Sequence, residues 1–186
     1  MMTRLFFLAG LALVAAPAVH AVEYTTVLPK QSRVDFEFRQ MGVPVKGGFK
    51  RFTTQMAFDP ARPEAARAQI EIDLASIDAG SPEADEEAAG KLWFNRSAFP
   101  KASFVSSSVR ALGNDRYEMR GTLSLKGRSR ELVVPVRFVP GKTAASFDGS
   151  FSLNRLDFGI GEGMWADVST VASEVRVSFR IAATGK

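Results

Sequence analysis

Apolar and polar residues alternate strictly in several stretches of the chain, and this alternation predicts β-strands with one buried face. In SRVDFEFR, for example, Val34, Phe36 and Phe38 fall on one side and charged residues fall on the other. Five further stretches have the same pattern. Their apolar sets are Ile70, Ile72 and Leu74; Tyr117, Met119, Leu123 and Leu125; Leu132, Val134, Val136 and Phe138; Phe147, Phe151 and Leu153; and Val175, Val177, Phe179 and Ile181.

Two less regular strands are predicted near residues 45–58 and 102–110, and they bring the number of strands to about eight. Short turns such as LKGRSR and LGNDR join neighbouring strands, so successive strands are expected to be antiparallel. Eight such strands leave exposed edges unless the sheet closes on itself. The sequence therefore predicts an all-β fold, an eight-stranded antiparallel up-and-down β-barrel with one short α-helical insertion. A barrel of this size is either filled by its own side chains or holds one elongated ligand, and the pattern favours neither.

One segment, GSPEADEEAAGKLWFN, breaks the alternation and predicts the helical insertion. Ser81 suits the N-cap, Pro82 suits the first helical position, and the acidic run over 83–87 lies near the positive end of the helix dipole. The helix is expected to continue through Ala89 to Leu92. Because helix-terminus electrostatics account for the acidic run, we prefer this explanation to a cation site or an acid–base pair.

The N-terminus, MMTRLFFLAGLALVAAPAVHA, has the three parts of a secretory signal peptide. Arg4 supplies the positive charge, an apolar run extends from Leu5 to about Val14, and small residues follow. The apolar run is shorter than the ~20 residues that cross a bilayer, so no membrane span is expected. We predict a signal peptide over 1–21, one domain over 22–186, and export to the periplasm. The chain has no cysteine, so the exported protein is not expected to be a lipoprotein or to contain disulfides.

Composition limits the chemistry that the exported chain can perform. Its one histidine, His20, lies in the predicted signal peptide, and cysteine is absent. Most serine, cysteine and metal-dependent hydrolases need an imidazole or a thiolate as base, nucleophile or ligand, so the sequence argues against these mechanisms. An all-oxygen Ca²⁺ or Mg²⁺ site stays open. We predict no enzyme, no catalytic residue, no metal and no cofactor. A hydrolase with paired carboxylates ranks third, behind the two non-enzymatic functions given at the end of this section.

Charge gives weak information about partners. Loss of Arg4 with the signal peptide lowers the formal net charge from +4 to +3, and basic residues are interleaved with acidic ones. A nucleic-acid interface needs a clustered basic patch, so we predict no nucleic-acid partner. The small basic excess favours transient contact with a membrane surface that carries anionic headgroups.

Three glycines occupy every second position in LNRLDFGIGEGMW, at Gly159, Gly161 and Gly163. A dinucleotide-binding fingerprint needs glycine at its first, third and sixth places and a helix directly afterwards. The sixth place here is Met164, and a strand is expected to follow. The glycines are therefore predicted to form a connection between the last two strands, with Met164 and Trp165 packing over the barrel mouth and gating it.

Several motifs carry a resemblance over the whole chain after the signal peptide. They are SRVDFEF, GGFKRF with FDP, LWFNRSAFPKASFVSSSV, YEMRGTLSLKGRSRELVVPV and LNRLDFGIG, in that order. The chain resembles the YceI-like family of exported bacterial proteins, which implies a lipocalin-like barrel that binds polyisoprenoid lipids. One departure is Gln40, where many relatives have histidine, so any role of that imidazole is absent here.

The resemblance and the apolar faces together predict a periplasmic carrier, monomer or homodimer, for a polyisoprenoid, an isoprenoid quinone-type lipid or another long-chain apolar lipid. The alternative is an envelope stress or protein-interaction module whose barrel core is solid. The KGRSR turn and the 159–165 loop should share one rim, where Lys126, Arg128 and Arg130 are predicted to attract a headgroup. The predicted lipid-binding residues are Phe36, Phe38, Phe49, Phe58, Ile72, Leu92, Trp93, Phe104, Leu123, Leu125, Val134, Phe138, Phe151, Leu153, Phe158 and Trp165.

Overall fold

The computed structural model describes residues 22–186, so the predicted signal peptide over 1–21 lies outside the described residues. Eleven strands and one α-helix account for most of this range. The strands are β1 (Tyr24–Val27), β2 (Arg33–Gln40), β3 (Val43–Phe49), β4 (Phe52–Ala57), β5 (Arg67–Asp73), β6 (Ile77–Asp78), β7 (Lys101–Gly113), β8 (Arg116–Leu125), β9 (Arg128–Val139), β10 (Ala145–Asn154) and β11 (Val171–Gly185). The α-helix is α1 (Pro82–Ala89), and short 3₁₀ helices cover Pro29–Gln31, Pro63–Ala65, Leu74–Ser76, Arg155–Phe158 and Gly163–Ala166.

All strands belong to one antiparallel sheet with the order β4-β5-β7-β8-β9-β10-β11-β2-β3-β6, and β1 pairs with β11. The two ends of this order meet. The Lys50 N–H donates to the Ser76 carbonyl at 3.0 Å, and the Asp73 N–H donates to the Arg51 carbonyl at 3.1 Å. Because β3 leads into β4 and β5 leads into β6 around these contacts, the sheet curls into a barrel-like layer.

The predicted all-β, antiparallel architecture with one helix is confirmed, but the predicted count of eight strands is corrected to eleven. A corner at Lys50 and Arg51 divides one irregular strand into β3 and β4, and the Leu74–Ser76 turn separates β5 from β6. Ser76 holds this corner, since its hydroxyl accepts from the Arg51 N–H at 2.9 Å and donates to the Asp73 carbonyl at 2.7 Å. β1 is the third addition, and its four residues are too few to show an alternation.

Aromatic rings close one end of the barrel-like sheet. Phe58 packs edge-to-face on Tyr117 and Phe147, with ring centroids 5.1 and 5.0 Å away. β1 adds the ring of Tyr24, whose N–H donates to the Phe58 carbonyl at 2.8 Å, and Tyr24 in turn lies 5.3 Å from Phe138. Edge-to-face packing is a favoured arrangement of aromatic pairs, so this aromatic cluster forms a filled end.

Helix α1 lies near the opposite end of the sheet. The predicted N-cap is confirmed, because the Ser81 hydroxyl accepts a hydrogen bond from the Ala84 N–H at 3.2 Å. The helix ends at Ala89, and the Gly90 N–H bonds to the Glu87 carbonyl at 3.0 Å. Leu92 therefore lies in the turns after the helix rather than on it. Within residues 22–186 no helix is long and apolar enough to span a membrane.

Candidate ligand-binding cavity

A cavity of about 510 Å³ lies inside the barrel-like sheet. Its wall is built from the alternate residues that the strands turn inward, such as Phe36 and Phe38 of β2, Ile70 and Ile72 of β5, and Val177 of β11. Small-molecule sites typically enclose roughly 300–1,000 Å³ behind mostly apolar walls. The interior is therefore large enough for a ligand, and side chains do not fill it.

Most of the predicted lipid-binding residues line this cavity. The lining members of that set are Phe36, Phe38, Phe49, Ile72, Trp93, Phe104, Leu123, Leu125, Val134, Phe151, Leu153 and Trp165. Alternation identified those that lie in strands, because a period of two assigns every second residue of a strand to the same face, whereas Trp93 and Trp165 lie outside the strands.

Four predicted lipid-binding residues lie outside the cavity wall. Phe58 and Phe138 belong to the aromatic cluster at the closed end of the barrel-like sheet. Phe58 directly follows β4, and Phe138 lies at the end of β9. Phe158 is buried in a second core cluster beside Leu74. Leu92 is 41% exposed, because the helix ends before it. Alternation assigns a face to each residue but not a height along the barrel.

Three pairs of phenylalanine and glycine shape the cavity. Phe36 lies opposite Gly47 and Phe179 lies opposite Gly149, while Phe104 lies near Gly121 on the neighbouring strand. A Cβ added at any of these glycines would overlap the Cζ of its phenylalanine partner. Each ring thus occupies the space that a side chain on the next strand would take. Lying against the strand, the rings leave the middle of the barrel open.

Arg155 is the buried cation of the cavity wall, and it was not among the predicted site residues. Its side chain is 1% exposed. Its Nε donates to the carbonyl of Ala172 at 3.1 Å. The two Nη atoms donate to four more carbonyls, those of Ile160, Gly161, Trp165 and Val171, at 2.7–3.0 Å.

These five bonds use all five N–H donors of the Arg155 guanidinium. They tie the connection over 156–170 to the start of β11, and burial lowers the pKa of Arg155. The signal in the sequence was the alternation itself, since Leu153 faces inward and Arg155 follows two residues later. No pattern in the sequence indicated that main-chain carbonyls would surround the guanidinium.

Few other polar groups reach the cavity. Gln40 of β2 and Glu83 and Glu87 of α1 are among the residues that line it. Hydrogen bonds from its own N–H and from the Ser81 hydroxyl lower the pKa of Glu83. In the described part of the chain, Thr54 Oγ1 and Trp93 Nε1 are buried without a hydrogen-bond partner. The wall therefore offers little specific recognition of a polar headgroup.

The three predicted rim cations lie against the glycine-rich connection but do not line the cavity. The side chain of Lys126 is 8% exposed, donates to the Gly159 carbonyl, and forms an ion pair with Glu162 at 3.0 Å. Arg128 approaches the same carboxylate at 3.5 Å, and Arg130 donates to the Asp157 carbonyl at 3.4 Å.

The prediction that the turn and the loop share a rim is thus confirmed. However, the charge of Lys126 is already paired. The hydrogen bond from Lys126 and the nearby charges hold the pKa of Glu162 below its ordinary value.

The glycine-rich connection also brings an aromatic pair to the cavity. Positive φ angles of 66°, 77° and 60° at Gly159, Gly161 and Gly163 let this connection turn tightly. Trp165 follows and lies 5.5 Å from Trp93 between ring centroids. Trp165 lines the cavity, whereas Met164 does not and points to solvent.

Residues 22–186 contain no group of three or more His, Asp or Glu side chains placed to hold a metal ion.

Comparison with known proteins identifies the fold. The family model of the YceI-like domain matches residues 25–183. The chain belongs to the YceI-like family.

Several known proteins are similar over most of this chain. A UPF0312 protein of Azotobacter vinelandii is 31% identical over 161 residues, which are 81% of this chain and 83% of that protein. The crystal structure of Burkholderia cenocepacia BcnA has 39% identity and a TM-score of 0.83, and the match covers 85% of this chain and 99% of that one. A polyisoprenoid binding domain from Saccharophagus degradans has a TM-score of 0.66 at 16% identity, over 90% of this chain and 100% of that one, and shows a similar fold.

Proposed function

We propose that this YceI-like protein binds a long-chain apolar lipid, a polyisoprenoid or an isoprenoid quinone-type lipid, inside its cavity. The observation that carries the proposal is the 510 Å³ cavity with its apolar wall. The Saccharophagus degradans domain, which has a similar fold, is described as polyisoprenoid binding, and this supports the ligand class. The alternative of a protein-interaction module assumed a filled interior, so the cavity favours lipid binding.

Burial of an apolar tail can supply the affinity without specific polar contacts. A tail of roughly 40 heavy atoms, at about 0.3 kcal/mol per atom, gains on the order of 12 kcal/mol, which corresponds to nanomolar binding. Since few polar groups reach the wall, we expect selection by length and shape more than by headgroup. No step of this function requires a catalytic residue, so we propose a carrier or reservoir rather than an enzyme.

The proposed place of action is the periplasm, because residues 1–21 have the charge, apolar run and small residues of a signal peptide. Binding of a water-insoluble lipid by an exported protein would allow that lipid to cross the aqueous space between membranes. We propose that one chain, as a monomer or as a homodimer subunit, holds one lipid, because each chain encloses its own cavity.

The test is organic extraction and mass spectrometry of protein purified from its native host. We expect a long-chain isoprenoid in about equal molar amount. Ala68 lines the cavity, so Ala68→Phe should reduce the extracted lipid, while Ala65→Phe, at an exposed position outside the cavity, should not. Absence of lipid from the wild-type protein in repeated preparations, together with no uptake of added prenols, would contradict the proposal.

A further inference from the structure

The four most exposed of the large apolar side chains in residues 22–186 lie in only two short segments. Met41 and Val43 are 77% and 62% exposed, and Met164 and Val168 are 76% and 55% exposed. Every other exposed large apolar side chain in this range is at most 47% exposed. We call these four residues the apolar rim. Exposed apolar side chains that cluster in this way mark surfaces for contact with a membrane or a protein.

The apolar rim is continuous with the cavity wall. The Met41 N–H donates to the Thr170 carbonyl at 2.8 Å, which joins the β2–β3 turn to the segment that contains Val168. Gln40 and Val171 pair in the sheet directly beside this bond, and both line the cavity. On the other segment, Met164 precedes Trp165, which also lines the cavity. A surface that covered the rim would therefore also cover this side of the cavity.

We propose that the apolar rim is a docking surface for a lipid bilayer and that it seats this side of the cavity among the acyl chains. The inference rests on the proposed function, because a lipid that leaves a bilayer through a submerged opening avoids exposing its tail to water. Methionine suits such a contact, since its flexible side chain adapts to an irregular apolar surface. A protein partner could also cover an apolar rim, but it would gain nothing from the continuity between rim and cavity.

The charges around the rim indicate a contact that does not depend on anionic lipids. Arg39 lies beside the turn and donates to the Gly42 carbonyl at 2.9 Å. Asp167 directly precedes Val168, and Glu83 and Glu87 line the cavity together with Gln40, so negative charge is present as well. Of the three cations in the KGRSR turn, Lys126 and Arg128 both face the Glu162 carboxylate, at 3.0 and 3.5 Å, and Arg130 donates to the Asp157 carbonyl. Because the signs are mixed, hydrophobic burial rather than Coulomb attraction supplies the bilayer affinity.

The test is flotation of the purified protein with vesicles of pure phosphatidylcholine. We expect binding that is unchanged between about 0.05 and about 0.5 M NaCl, where electrostatic attraction would fade. The variant with Met41→Gln, Val43→Thr, Met164→Gln and Val168→Thr should bind about tenfold less, since affinity scales with buried apolar area. The matched control carries Leu112→Gln and Val133→Thr, at exposed apolar positions away from the rim, and should bind like the wild type.

Three results would overturn the docking surface. The first is vesicle binding by the rim variant that equals that of the wild type, and the second is binding that requires anionic vesicles and disappears with salt. The third is a wild-type dimer in the absence of vesicles, with the rim variant monomeric. Geranylgeraniol added without vesicles, and followed by the fluorescence of Trp93 and Trp165, tests the cavity separately. The rim variant should keep wild-type prenol affinity and lose transfer from vesicles. If no variant binds the prenol but vesicle binding still needs the rim, the lipid-carrier function fails and the docking surface stands.

Discussion

The guanidinium of Arg155 lies over the indole ring of Trp93, with its Cζ atom 5.5 Å from the ring centroid. A cation above an aromatic face is attracted by the ring quadrupole, most strongly where water is excluded. The five carbonyl oxygens around Arg155 supply the rest of its environment. One buried side chain thereby connects the turn after α1, the glycine-rich connection and the first residues of β11.

Replacement of Arg155 should therefore destabilise the whole cavity wall. Arg155→Met leaves five carbonyls without their donor, and we expect a loss of at least about 3 kcal/mol in the free energy of unfolding, measured with denaturant. The control is Arg176→Met, which removes an exposed arginine of β11 and should change stability by less than about 0.5 kcal/mol. Similar losses in the two variants would show that the carbonyl cage contributes little.

A second prediction distinguishes a phenylalanine that lines the cavity from one that is packed in the core. Phe58→Ala should lower the free energy of unfolding by about 3–5 kcal/mol, because Phe58 is surrounded by other rings. Phe36→Ala should cost the lipid-free protein clearly less, because Phe36 already faces a cavity. Lipid retention should change in the opposite order, with Phe36→Ala reducing it more. Equal stability losses with unchanged lipid content would assign Phe36 to the core.

A third prediction concerns the pairing of Phe179 with Gly149. Gly149→Ala places a Cβ where the Phe179 ring lies and 2.8 Å from the Pro135 carbonyl oxygen. The ring must therefore swing toward the lumen, which reduces the space for a ligand, and the backbone of β9 must shift slightly. We expect shorter bound chains by mass spectrometry and a stability loss of about 1–3 kcal/mol. Adding Phe179→Leu to this variant should restore the long-chain ligand. Unchanged chain length in Gly149→Ala would mean that this pair does not limit the cavity.

A fourth prediction follows from the ion pair between Lys126 and Glu162. The folded-state pKa of Glu162 is depressed from its ordinary value of 4.5, so its stabilising effect is complete above that pH and is lost as the pH falls through the lower, folded-state value. Unfolding free energies measured below pH 4.5 should therefore decline less steeply in Glu162→Gln than in the wild type. Glu86→Gln, at an exposed position of α1, serves as the control and should keep the wild-type slope.

The sequence was sufficient for the inner face of the sheet, because alternation depends on local geometry. Val34, Phe36 and Phe38 share one side wherever β2 sits in the fold. The corner at Ser76 could not be predicted, since it depends on hydrogen bonds to Arg51, 25 residues away. Nor could alternation distinguish Phe58, at the closed end, from a residue that lines the cavity.

Whether the interior is open or filled depends on pairs such as Phe104 with Gly121, which belong to different strands. A glycine in a strand is visible in the sequence, but the ring that covers it is known only when the register is known. The partners of Arg155 could not be predicted for a similar reason, because they are main-chain carbonyls, which every residue type possesses. The prediction of a lipid ligand came from the family resemblance, and the structure contains a cavity of about 510 Å³ in which such a ligand would be held.

The pairing of β2 with β11 makes closure of the sheet a late step in folding. The Ala182 N–H donates to the Ser32 hydroxyl at 3.0 Å across 150 residues of chain. Contacts between such distant segments carry a large loop-closure entropy, and proteins rich in them fold in milliseconds to seconds rather than microseconds. Until the last strand arrives, β2 keeps an open edge and an apolar face in water. The interval before closure is the period in which this chain is most exposed to aggregation and to proteases.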